Sequence, residues 1–247
     1  MPKILLPYFL SICLIVCAPV ARAQTVKQDS SFVQQAVAEL AQVYQDSIGL
    51  QSHLYSGAEY TSLAKHYMEG HPYFKTKSFE PGTVHYDGVE LRDVRLMYDV
   101  EQDELAIIYP GTGYIIKLVK QLVTGFELGG ETFQKLALDS TASPSKATYY
   151  SVLHDGQVKV LAHRRKVGQE RVTSKGFEGE YRVEDRHYLF KDGAYHTISR
   201  KRSLLGLLQD ERKQLNTFIR ENKLKFRKQH KEASFVKVAR HYDSLKR

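Results

Sequence analysis

Tryptophan is absent from the 247-residue chain, and its only two cysteines, Cys13 and Cys17, lie in the first 17 positions. Both fall inside the export signal read below, so the mature chain has no thiol. That excludes a disulfide framework, a thiolate nucleophile and a Cys-ligated zinc. Long apolar runs are missing too: beyond the N-terminus no segment approaches the roughly 20 apolar residues of a membrane-spanning helix. The familiar catalytic spacings are lacking as well. There is no G-x-S-x-G elbow, no H-E-x-x-H helix, no phosphate-cradling glycine loop and no EF-hand. S-x-x-K occurs at Ser62/Lys65, Ser143/Lys146 and Ser234/Lys237, but three matches without a K-T-G partner read as coincidence. The sequence implies no cofactor. The expected function is noncatalytic binding of an envelope component or a protein partner. The alternative is a hydrolase whose polar or histidine site assembles only in the fold.

What is present is the composition of a globular protein, with 42% hydrophobic and 26% charged residues. Lys3, an apolar stretch over 5–16, and Ala21 and Ala23 around Arg22 form a secretory signal with cleavage expected before Gln24. Residues 1–23 are therefore set aside, and a periplasmic or extracellular location is expected.

Hydrophobic periodicity then divides the chain. Over 31–48 Val33, Ala36, Val37, Leu40, Val43, Tyr44 and Ile48 recur at helical spacing, which predicts an amphipathic helix with one buried face. A second short helix is expected over 57–70, closed by His71-Pro72. From 82 to 198 the period falls toward two. Asp87-Gly88, Asp155-Gly156 and Asp192-Gly193 suit type I′ hairpin turns, because both residues tolerate positive φ. These turns place Tyr86 opposite Val89, Val84 opposite Leu91, His85 opposite Glu90, His187 opposite Ile198 and Leu189 opposite His196. Gly129-Gly130 likewise sets Phe126 against Phe133. Further strands are read over 94–100, 105–109 and 114–118. The fold class is α+β, mainly β: an antiparallel meander of about ten strands, forming a sheet, sandwich or roll, with the N-terminal helix and a C-terminal helical segment docked on it. The domain spans 24–200, with a linker-like stretch at 140–147 dividing two sheets, and residues 201–247 form basic helices. Ser203 is expected to cap a helix over 204–208 and Asp210 one over 211–221, followed by a third over 231–245.

Charge is uneven. Residues 24–160 carry 11 Lys and Arg against 17 Asp and Glu, a balance of −6, whereas 161–247 carry 23 against 11, a balance of +12. Arg212, Lys213, Arg220, Lys223, Lys225, Arg227, Lys228 and Lys231 would form a positive surface if Leu215, Phe218, Ile219 and Phe226 dock inward. That surface suits weak association with anionic material, and an exported chain is not expected to meet nucleic acid. His187 and His196 share a sheet face and are the candidate metal pair, with Asp185 or Glu184 as a third ligand. Zinc needs three or four converging ligands, so the pair alone makes no site. Tyr55, Tyr60, Tyr67, Tyr73 and Phe74 crowd the segment before the first hairpin, either as a ligand-binding aromatic surface or as a lid on the core.

The runs Leu54-Tyr55-Ser56-Gly57-Ala58-Glu59-Tyr60, Gly70-His71-Pro72-Tyr73-Phe74 and Gly82-Thr83-Val84-His85-Tyr86-Asp87-Gly88 resemble a group of secreted bacterial proteins with no assigned activity. Lys201-Arg202-Ser203-Leu204-Leu205 and Tyr242-Asp243-Ser244-Leu245 fit the same group. The resemblance covers most of the mature chain. It implies export and one shared architecture, and it carries over no catalytic residue.

Overall fold

The structure is a computed structural model that describes residues 32–37, 39–40, 43, 53–138 and 147–246. The signal read at 1–23 and the linker stretch up to 146 lie outside the described residues. Thirteen strands are present among those described: β1 (Met68–Glu69), β2 (Glu80–Tyr86), β3 (Val89–Asp99), β4 (Glu104–Ile108), β5 (Ile115–Lys117), β6 (Val123–Leu128), β7 (Glu131–Leu136), β8 (Thr148–Asp155), β9 (Lys159–His163), β10 (Lys166–Thr173), β11 (Gly176–Val183), β12 (Arg186–Lys191) and β13 (Ala194–Ile198). Three helices follow, α1 (Lys201–Leu207), α2 (Arg212–Glu221) and α3 (Lys231–Leu245). Ten strands form one antiparallel sheet in the order β13-β12-β9-β8-β7-β6-β2-β3-β4-β5, and β1, β11 and β10 form a second.

One cross-strand row explains the core. Leu91, Val84, Phe126, Phe133, Ser151, Ala162, His187 and Ile198 stand directly opposite one another across eight strands, and every one is buried. Opposed residues share a face, so this face is interior along its whole width. On one half it carries aromatic rings. Phe126 and Phe133 stack at 4.6 Å, and Tyr98 and Tyr149 meet them edge-on. On the other half Val160, Leu189 and Ile198 pack under Leu204, Leu215, Phe235 and Val238 of the helices. Strand β3 serves both ends of the aromatic half through a bulge. Asp93 adopts φ +55° and the β2–β3 register shifts between Gly82 and Val84, so Leu91 and Leu96, five apart, both reach the same core.

The hairpins at 87–88, 129–130 and 192–193 have the expected registers, Phe126 opposite Phe133 included. Asp87, Gly88, Gly129, Gly130, Asp192 and Gly193 all take positive φ. A Cβ at Gly88 or Gly193 would meet open space, while their φ values are +78° and +79°. Gly88→Val and Gly193→Val should therefore each cost about 1 kcal/mol by backbone conformation alone. Thermal melting checks this, and an unchanged midpoint in both variants would contradict the turn assignment.

Several expectations are corrected. Asp155-Gly156 is not a two-residue turn: Asp155 pairs with Lys159 across a three-residue loop, and neither residue has positive φ. No helix forms over 57–70, because this backbone is used by a sheet edge. Lys117 N–H donates to Ala58 O, and Tyr60 N–H donates to Ile115 O, bonds that a helix would have taken for itself. Strands β7 and β8, which flank the linker stretch, are hydrogen-bonded neighbours in one sheet and do not belong to two. Helical backbone occurs at 32–37, 39–40 and 43, but Val33, Val37, Leu40 and Val43 are exposed. Helix α1 begins three residues earlier than expected. Ser203 sits in its first turn, where its Oγ accepts from Ser199 and Arg200 N–H. Asp210 lies in a 3₁₀ turn and caps nothing; it binds Lys191, Tyr242 and Lys246 instead.

Candidate functional site

Two interruptions break the apolar row, Ser151 and His187, and each is answered by a carboxylate. Ser151 Oγ donates to Glu131 at 2.7 Å, and His187 Nε2 lies 3.0 Å from Glu232. Arg164, two residues beyond Ala162 and so on the same face, fills the space between them. Its guanidinium binds Glu131 at 2.7 Å, Asp185 at 2.8 Å and Glu232 at 2.6 Å. Burial acts against the Arg164 charge, yet the three carboxylates outweigh it and raise the pKa. For Glu232, burial would push the carboxyl up, but the bonds from His187 and Arg164 prevail and hold it at about 2.

The backbone explains why this cluster stands here. Strands β9 and β12 pair in the main sheet, then the same two chains continue into β10 and β11, which pair in the small sheet. The double-length hairpin changes sheets at Arg164-Arg165 and Glu184-Asp185. Asp185 holds the bend by accepting from Arg164 and from Arg165 N–H, and Glu232 brings in the first turn of α3. The cluster is thus a junction of β7, β9, β12 and α3. Chemically it is saturated, with every carboxylate engaged by a cation or hydroxyl. His187 Nδ1 has no hydrogen-bond partner and is buried beside the Phe235 ring. Ser151 and His187 are separated by the whole of β9, about 9.6 Å at the usual strand spacing, so His187 is not placed to activate the Ser151 hydroxyl.

Of the aromatic candidates, Tyr60 is buried and donates to Asp99 at 2.6 Å; burial and that carboxylate raise its pKa. Phe74 packs edge-on to Phe133 in the core, and Tyr55 meets Tyr109. Tyr73 donates to Ser62 and stacks on His71. Tyr67 donates to Glu170 and stacks on Phe177. Each of the five rings thus makes a contact within the fold, Tyr67 on the small sheet and Phe74 in the core. His187 and His196 share a face through the β12–β13 register, but His196 is exposed while His187 is tied to Glu232. Among the described residues no group of three or more His, Cys, Asp or Glu is arranged to hold a metal ion.

The basic residues are placed differently. Leu215 and Ile219 point α2 inward, Phe218 stacks on His241 at 4.0 Å, and Arg212, Lys213, Arg220, Lys223, Lys225 and Arg227 are exposed. Lys231 is half-buried at the start of α3. The side chain of Lys228 lies outside the described part. Among the described residues none of the other seven forms a salt bridge, whereas Lys191 and Lys246 nearby are paired with Asp210.

Comparison with protein-family models, curated proteins and solved structures returned no match. The site therefore has to be read from its own chemistry. Sequence reasoning missed the Arg164 junction, Asp99 and Asp243. The one available signal was the pair of charged doublets, Arg164-Arg165 and Glu184-Asp185, each set between two consecutive strands.

Proposed function

We propose that this chain is an exported, noncatalytic binding protein that attaches to an anionic component of the cell envelope through α2 and the connection into α3. The observation that carries the reading is the row of exposed cations that have no carboxylate partner among the described residues. Each such charge near an anionic surface contributes up to about 1 kcal/mol. The apolar side of the same helix is anchored in the core, so the charges are held on a fixed face. The resemblance of 54–60, 70–74 and 82–88 to secreted bacterial proteins supports export. Among the described residues no helix is long and apolar enough to cross a membrane, and electrostatic attachment needs none. The saturated Arg164 junction, with Ser151 and His187 held apart, favours this reading over a hydrolase.

Sedimentation of the mature chain with vesicles tests it. Vesicles containing phosphatidylglycerol should carry the protein down at low salt and release it at about 1 M, where the screening length falls to roughly 3 Å. Neutral phosphatidylcholine vesicles should leave it in solution. Equal binding to both, or no binding at low salt, defeats the proposal.

A further inference from the structure

Beside the basic face lies a cavity of about 900 Å³ lined by Arg200, Phe226, Arg227, His230 and Lys231, with Ser199 and Gln229 completing the wall. No carboxylate lines it. Arg200, Arg227 and Lys231 form no salt bridge among the described residues, although acids are close in sequence. Glu232, next to Lys231, is turned inward onto Arg164 and His187, which leaves the cavity's charge uncompensated. The walls are held in place. Ser234 Oγ donates to Lys225 O at 2.7 Å, which fixes the chain beside Phe226. Phe226 in turn rests against Phe235 in the core. Arg200 is the extended residue that precedes α1, and its backbone N–H is taken by Ser203.

We infer that this cavity is a binding site for a phosphate group carried on a short apolar stem. The phosphate sits among Arg200, Arg227 and Lys231, and the stem lies on Phe226. Three cations around one opening suit a phosphate better than a singly charged carboxylate, and arginine forks match its oxygens in pairs. The volume is that of an ordinary small-ligand site. The inference rests on the proposed anionic partner and names its group. A lipid headgroup and a soluble phosphate ester share that chemistry.

Calorimetric titration of the mature chain with butyl phosphate and with inorganic phosphate tests the site. Vesicles containing phosphatidylglycerol form the second arm. Butyl phosphate should bind at one site and more tightly than inorganic phosphate. The pair Arg200→Gln and Arg227→Gln should weaken butyl phosphate binding about tenfold or more, while Arg212→Gln with Lys213→Gln, outside the cavity, should leave it within about twofold. All four side chains lack partners among the described residues, so folding is not at stake. If the cavity pair also lowers vesicle binding more than the control pair, a lipid headgroup is the source. If vesicle binding falls equally for both pairs while butyl phosphate is lost only in the cavity pair, the source is a soluble ester. Failure of butyl phosphate to bind, or equal weakening by both pairs, overturns the site. Vesicle binding that persists in that case leaves the basic-face reading standing, and the two failures are thereby told apart.

Discussion

Replacing Arg164 with methionine is expected to lower the stability of the protein by about 3 kcal/mol at neutral pH, the lower end of what breaking a buried ion cluster costs. The size follows from what remains. Glu131 would keep Lys75 at 3.2 Å and Ser151, Glu232 would keep His187, and Asp185 would keep the Arg165 N–H. Each carboxylate thus retains at least one partner, but three negative charges would share a largely buried junction without the cation between them. For a domain of this length the loss corresponds to a melting point lower by roughly 6–12 °C. Urea unfolding gives the free energy directly. Adding Asp185→Asn and Glu232→Gln to the Arg164 variant should recover much of the loss, because the uncompensated charge and not the missing volume causes it. Acid titration checks the same junction. The folded carboxyl of Glu232 titrates at about 2 and an ordinary one near 4.5. Its contribution is therefore complete above about pH 4.5 and disappears as pH falls toward 2. Glu232→Gln should flatten the decline of stability across that window. A variant that declines as steeply as the parent would show that other carboxyls govern the acid limb.

The C-terminal helices, the hairpins at 87–88, 129–130 and 192–193 and the antiparallel, mainly β class could be read from the sequence where one local rule decides the outcome. Gly129-Gly130 has few ways to turn, so the Phe126–Phe133 stack followed from counting outward. Helix α3 occupies the expected 231–245 because Phe235, Val238, Ala239 and Tyr242 keep helical spacing without interruption. What escaped was decided by partners distant in sequence. Residues 57–70 contain nothing that forbids a helix, and only the arrival of β5 converts their backbone into an edge cover. The second sheet was hidden for a related reason. Strands β10 and β11 turn at Ser174-Lys175 without an Asp-Gly pair, and β1 joins them in parallel across more than 100 residues. Gly168 and Gly179 read as poor strand residues, yet their missing side chains leave the space in which Met68 lies. The Arg164 junction assembles from four elements, so only the doublets at the bend hinted at it.

Gly156 offers the sharpest separation between a local and a distant cause. Its φ lies outside the left-handed region, so alanine fits the backbone, and a turn argument predicts almost no effect for Gly156→Ala. The packing says otherwise. A Cβ here would overlap the carboxylate of Asp243, which reaches from α3 into the β8–β9 loop. Asp243 is buried, with one oxygen 2.7 Å from His154 Nε2 and the other accepting from Val158 N–H at 3.3 Å. The methyl must displace that carboxylate from both partners, and overpacking together with a buried acceptor left unmatched costs about 2–3 kcal/mol. The sign of the coupling distinguishes the explanations. In an Asp243→Ala background the obstacle is gone, so Gly156→Ala should cost no more than about 0.5 kcal/mol, and the two substitutions together should be less harmful than their sum by at least about 1.5 kcal/mol. Denaturant unfolding of the parent, both single variants and the double variant supplies the cycle. Additive losses, or a Gly156→Ala variant as stable as the parent, would show that the loop and the end of α3 are not in register as described.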